Sequence, residues 1–134
     1  MSDYSLKGKV IGFEEYENYT LEAAFGESSP FRALSCLEEP ISFVVVDPYY
    51  IMADYSFEIE DSLFKNLFGE SDCTREIAIL CLVRPDNENL RVNLRSPLVI
   101  NTKKGTFVQT ILQSDTYGVS VPFAVRKAPD GTNE

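Results

Sequence analysis

Short apolar runs separated by turn chemistry organise the chain. The strongest is Ile41 to Val46 (ISFVVV), continuous, rich in Val and closed by Asp47-Pro48, which cannot extend a ladder. A run apolar on both faces predicts a central strand or a barrel wall, where each fully buried Val or Phe contributes about 1.5–3 kcal/mol. Ile77 to Val83 (IAILCLV) predicts a second buried strand, ended by Arg84-Pro85-Asp86-Asn87. Leu6 to Ile11, Tyr19 to Phe25 and Phe31 to Leu37 predict three more, the last two separated by the turn residues Gly26-Glu27-Ser28-Ser29-Pro30. Tyr55 to Ile59 alternates Tyr, Phe and Ile with Ser and Glu, the pattern of a half-buried strand. Leu90, Val92 and Leu94 alternate with Arg91, Asn93 and Arg95, and Pro97 breaks the register before Leu98-Val99-Ile100. Thr106 to Leu112 is the last clear run, reached through a hairpin turn at Lys103-Lys104-Gly105.

One segment has helical spacing. Asp61 is placed to cap a helix through Phe68, with Leu63, Phe64, Leu67 and Phe68 on one face and Gly69 past the end. Such a helix is roughly 12 Å long and is not stable alone, so its apolar face is expected to pack on the sheet. Beyond Tyr117 the pattern fades. The expectation is an all-β, mainly antiparallel sandwich or small barrel with one or two short helices. It forms a single domain over 1–127, with 128–134 as a flexible tail. There is no internal repeat and no low-complexity linker.

Composition narrows the chemistry. The 134 residues include no His and no Trp. Without His there is no Ser-His-Asp or Cys-His nucleophile system, no imidazole base and no His-dependent metal site. Cys36, Cys73 and Cys81 form no CxxC pair and are too few for an all-cysteine zinc site. They are expected as reduced, unpaired thiols. The N-terminal residues lack an apolar signal core, and no run approaches the roughly 20 residues that span a bilayer. A cytoplasmic protein is therefore expected, which makes the sequon Asn18-Tyr19-Thr20 a coincidence.

Charge is uneven. The net charge is -9, but Glu14 to Asp72 holds 14 acids against Arg32 and Lys65, a net -12, while the remainder is +3. The acidic stretch can steer a basic partner. Six bases against Asp115 between Arg91 and Lys127 lack interleaved stacking aromatics, so direct nucleic-acid binding is not expected. GxGxxG, GxxxxGK[ST] and GxSxG are all absent. Glu14-Glu15 and Glu38-Glu39 are adjacent in sequence, a spacing that seldom builds a glycosidase pair. Asp47 and Asp54 flank Pro48 to Ala53, but a cation site there would need further oxygen ligands. No metal, cofactor or catalytic residue is nominated, and no enzyme activity is expected.

Gly8 to Tyr16 (GKVIGFEEY) resembles the opening of the FliW family, bacterial flagellar assembly factors. Ser29-Pro30-Phe31, Leu34 to Pro48 (LSCLEEPISFVVVDP), Asp54-Tyr55, Asn93 to Asn101 (NLRSPLVIN) and Gln109 to Tyr117 follow in the family's order. The chain departs after Tyr117, where Gly118-Val119-Ser120-Val121-Pro122 replaces the family's Arg-His-Pro-like step. The resemblance implies a barrel-like, non-enzymatic regulator that binds cytoplasmic flagellin and the translational repressor CsrA, relieving repression of flagellin synthesis. A basic CsrA-like partner suits Glu14, Glu15, Glu17, Glu38, Glu39, Asp47, Asp54 and Glu58. Amphipathic flagellin segments call for an apolar groove, with candidate rims at Tyr49, Tyr50, Ile51 and Met52 and at Val119, Val121 and Phe123. The competing expectation is a small β-barrel carbohydrate-binding module or an uncharacterised enzyme, since Tyr beside Asp also suits sugar stacking.

Overall fold

The computed structural model describes residues 4–23, 25–26, 28–69, 77–87, 89–114 and 116–123. The expectations for Cys73 and for the 128–134 tail lie outside these residues. In chain order the elements are β1 (Tyr4–Lys7), β2 (Asn18–Glu22), β3 (Phe31–Cys36), β4 (Ser42–Val46), α1 (Pro48–Ile51), α2 (Asp61–Phe68), β5 (Ile77–Asp86), β6 (Asn89–Val92), β7 (Leu98–Asn101), β8 (Thr106–Gln109) and β9 (Val121–Phe123).

The two strongest apolar runs, β4 and β5, pair antiparallel with Val44 opposite Val83 and Val46 opposite Cys81. That pairing closes the order β4-β3-β2-β1-β8-β7-β5 into a seven-stranded barrel, with β6 and β9 added beyond β5. Every pairing is antiparallel except β1 with β8, parallel at Lys7 and Thr106.

Alternation explains why both runs lack a polar face. Leu6, Tyr19, Leu21, Leu34, Val45, Leu98, Ile100 and Phe107 fill the barrel, joined by Phe43, Leu80 and Leu82. The intervening side chains point outward but are covered. Val46, Cys81, Val92 and Leu94 pack under Ile51, Met52, Tyr55 and Phe57, while Val99 packs under Leu67 and Phe68 of α2. The wall between β4 and β5 is thus apolar on both sides. Burial pushes the Cys81 thiol up to about 12, so it stays neutral.

Several expectations are corrected. Tyr55 to Ile59 belongs to no strand, because it has no ladder partner. Its alternation is still real: Tyr55 is buried and Phe57 and Ile59 half-buried, while Ser56 and Glu58 face solvent. The chain here is an extended strap over the outer face of the barrel. Asp61 is the first residue of α2; the cap position belongs to Glu60, whose side chain makes no capping bond. β5 continues through Pro85 to Asp86. The β4 ladder stops at Val83, and Leu82 turns its carbonyl toward Asn93. By alternation Pro85 therefore turns its missing N–H toward the unpaired edge and removes no ladder bond. The turn into β6 uses Asn87 at φ 59. The fading pattern after Tyr117 conceals β9, which pairs with β6. Just past β1 the backbone at Gly8 presses on β8, which only glycine allows: a Cβ there would meet the carbonyl of Phe107 and come within 2.8 Å of its ring.

Candidate partner-binding surfaces

The β2–β3–β4 wall has two chemically different ends. At one, Asn18, Cys36 and Ser42 terminate their strands; at the other lie Glu22, Phe31 and Val46.

The first end is acidic. The Gly8–Glu17 loop is closed by Gly8 N–H donating to the Glu17 carbonyl at 2.9 Å, and Leu37 N–H donates to the Asn18 carbonyl at 2.9 Å. These bonds set the loop that carries Glu14, Glu15 and Glu17 beside the loop that carries Glu38 and Glu39. Glu38 does structural work as well: its carboxylate accepts from the backbone N–H of Glu17 (3.2 Å) and Asn18 (3.3 Å) and from Asn18 Nδ2 (3.1 Å). The Asn18 backbone donor is the main cause of its lowered pKa. Backbone N–H groups of Gly12 and of Glu14 itself likewise hold the Glu14 carboxyl below its ordinary range. Desolvation raises the Tyr16 hydroxyl, and the charges of Glu15 and Glu39 add to the shift. Exposed apolar side chains are interspersed: Ile11, Phe13 and Leu37, the last 62% exposed. Phe13 meets Phe43 edge-on at 5.1 Å.

The other end is aromatic. Asp47 Oδ1 accepts the Tyr49 N–H at 2.9 Å and starts α1, with Pro48 in its first turn. This single turn leaves Tyr49 and Tyr50 exposed. Phe31 lies edge-on to Phe25 and Tyr50 and stacks on Phe123 with centroids 6.3 Å apart. Phe25 is 51% exposed. Beneath them Tyr55, 2% exposed, touches Tyr49, Phe57 and Tyr117 and donates its hydroxyl to the Leu94 carbonyl at 2.7 Å. A cleft of about 500 Å³ opens beside the rim, floored by Leu21, Ala78 and Leu80 and edged by Arg32, Asp47, Tyr49 and Tyr50.

The candidate residues are therefore divided. Glu14, Glu15, Glu17, Glu38 and Glu39 lie on the two loops of the acidic end, whereas Asp47 belongs to the aromatic end. Asp54 and Glu58 are exposed on the strap. Glu58 edges a separate cleft with Ile111 and Leu112. Tyr49 and Tyr50 form the expected rim, but Ile51 and Met52 turn into the outer core. In the tail, Val121 and Phe123 are half-buried in β9 against that same core. Val119 is 59% exposed near Phe43, Arg84 and Arg91. Sequence reading missed Phe25, Leu37 and Arg32. The one available signal was a large apolar residue beside a turn, at Phe25 and Leu37.

Among the described residues no group of three or more metal-ligating side chains gathers, and no helix is long and apolar enough to cross a membrane. The FliW family model ("FliW protein") matches residues 3–123. The chain belongs to the FliW family. It is 35% identical over 115 residues to the "Flagellar assembly factor FliW" of Caldanaerobacter subterraneus, covering 84% of this chain and 76% of the relative. The Treponema pallidum protein of the same name is 29% identical, with 84% and 75% covered. A solved structure, "Crystal structure of the flagellar assembly factor FliW", superposes with a TM-score of 0.74 at 25% identity, covering 87% of this chain and 82% of that one. The barrel and its two short helices thus follow the FliW fold.

Proposed function

We propose that this chain is a flagellar assembly factor that acts in the cytoplasm by binding other polypeptides: flagellin, and a CsrA-type translational repressor whose hold on flagellin synthesis it relieves. The FliW family match over residues 3–123 carries this reading. The chemistry of the two ends supports a division of labour. Glu14, Glu15, Glu17, Glu38 and Glu39 offer a negative field to a basic RNA-binding partner, raising its encounter rate and opposing RNA at the same place. Tyr49, Tyr50 and Phe25 offer the aromatic face that an amphipathic segment of flagellin needs. The reaction class is association; no bond is made or broken.

Mixing the purified chain with CsrA and with flagellin, separately and together, on a size-exclusion column tests this. A co-eluting complex with each partner is expected. No complex with either partner at micromolar concentration would overturn it, all the more if the chain then retained an oligosaccharide.

A further inference from the structure

Alternation along β3 sends Phe31 outward into the outer core and Leu34 inward into the barrel. Arg32 therefore falls on the inward set, opposite inward-facing Val45, one rung in from the aromatic end. Arg32 is half-buried at this open mouth, and its guanidinium makes one weak bond, donating to the Ser29 carbonyl at 3.3 Å. Among the described residues no carboxylate lies within ion-pair reach of it; Arg91, by contrast, pairs with Asp86 elsewhere on the barrel. Arg32 lines the 500 Å³ cleft, and among the described residues only one of its five guanidinium donors has a partner there.

We propose that this cleft is a binding pocket for a carboxylate side chain flanked by aliphatic residues on the flagellin partner. The carboxylate docks on the Arg32 fork, and the aliphatic neighbour covers Leu21, Ala78 and Leu80 between the Tyr49 and Tyr50 rings. Two features select a polypeptide segment over a small free acid. The cleft opens onto the wider exposed surface of Tyr49, Tyr50 and Phe25, which a small acid would leave uncovered. Asp47 shares the rim with Arg32, so a single carboxylate is tolerated while phosphate-rich ligands are repelled. The inference rests on the flagellin reading above for the identity of the partner.

The test is titration calorimetry of flagellin and of CsrA against the full chain, its Arg32→Gln variant and its Arg32→Lys variant, with thermal melts to monitor folding. Arg32→Gln is expected to weaken flagellin binding about tenfold or more and to leave CsrA binding unchanged. Arg32→Lys, which keeps the charge but loses the fork, should fall between. On the unaltered chain, flagellin should protect Arg32 from phenylglyoxal, read by mass spectrometry, a result that does not depend on the variants folding. Unchanged flagellin affinity in a folded Arg32→Gln variant, or no protection, overturns the pocket. Competition by free 4-methylpentanoate at micromolar concentration overturns the polypeptide assignment. Failure of the unaltered chain to bind flagellin at all would instead sink the functional reading, and the pocket's partner with it.

Discussion

The acidic end and the aromatic mouth close the same strands by opposite means. At the acidic end, two loops are held by backbone hydrogen bonds and by one carboxylate, Glu38, while most of the charge remains in water. At the mouth, rings pack on rings, and Tyr55 anchors them from beneath through a buried hydroxyl. Exposed charge adds little to stability but acts at a distance; packed rings stabilise strongly but act only on contact. One end is therefore suited to fast capture of a charged partner and the other to holding an apolar one.

The sharpest way to break this contrast is at Tyr55. Tyr55→Ala should cost about 3–5 kcal/mol, as large aromatic truncations in cores do. Tyr55→Phe, which removes the hydroxyl's bond to the Leu94 carbonyl and its contact with the Cys81 thiol, should cost about 1 kcal/mol. Urea denaturation measures both, and a Tyr55→Ala loss under about 1 kcal/mol would show that the ring network does not hold the mouth. Next comes Gly8→Ala at the root of the acidic loop. The added methyl has to displace Phe107, and overpacking of this kind costs about 1–3 kcal/mol. A neutral result would mean that the loop root tolerates movement.

A smaller and more local effect is expected at Glu38. Its folded pKa lies below the ordinary 4.5. The stabilisation it supplies is complete above that ordinary value and is lost as pH falls through the lowered folded one. Amide protection factors, corrected for intrinsic exchange at each pH, should fall at Glu17 and Asn18 in Glu38→Gln at neutral pH, and in the unaltered chain only at acid pH, with little change at Tyr55. A uniform loss of protection across the barrel would contradict a local role.

How much of this was legible in the sequence depends on which physical signal carried it. ISFVVV announced a wall buried on both sides, because continuous apolar composition admits few other fates in a short strand. The strap from Tyr55 to Ile59 showed its alternation but not its lack of a ladder partner, since period two reports burial and not pairing. β9 went unseen because three residues around a proline carry almost no period, and its pairing with β6 is supplied by tertiary context. The acidic bias was plain, yet the placing of the loop with Glu14 to Glu17 beside that with Glu38 and Glu39, and the separation of Asp47, depend on which strand ends meet. Arg32 read as one of two bases in an acidic stretch; only the phase of β3 against the barrel interior turned it inward.

The most direct measurement is the association rate with CsrA and with flagellin for the unaltered chain and a triple variant, Glu14→Gln, Glu15→Gln and Glu39→Gln, at several ionic strengths around 0.1 M, where the Debye length is about 10 Å. Thermal melts of the triple variant should match those of the unaltered chain, since all three side chains are exposed. The prediction is a slower, less salt-sensitive association with CsrA and an unchanged association with flagellin. Equal rates for the two proteins with CsrA, or an equal slowing with both partners, would contradict the assignment of different partners to the two ends.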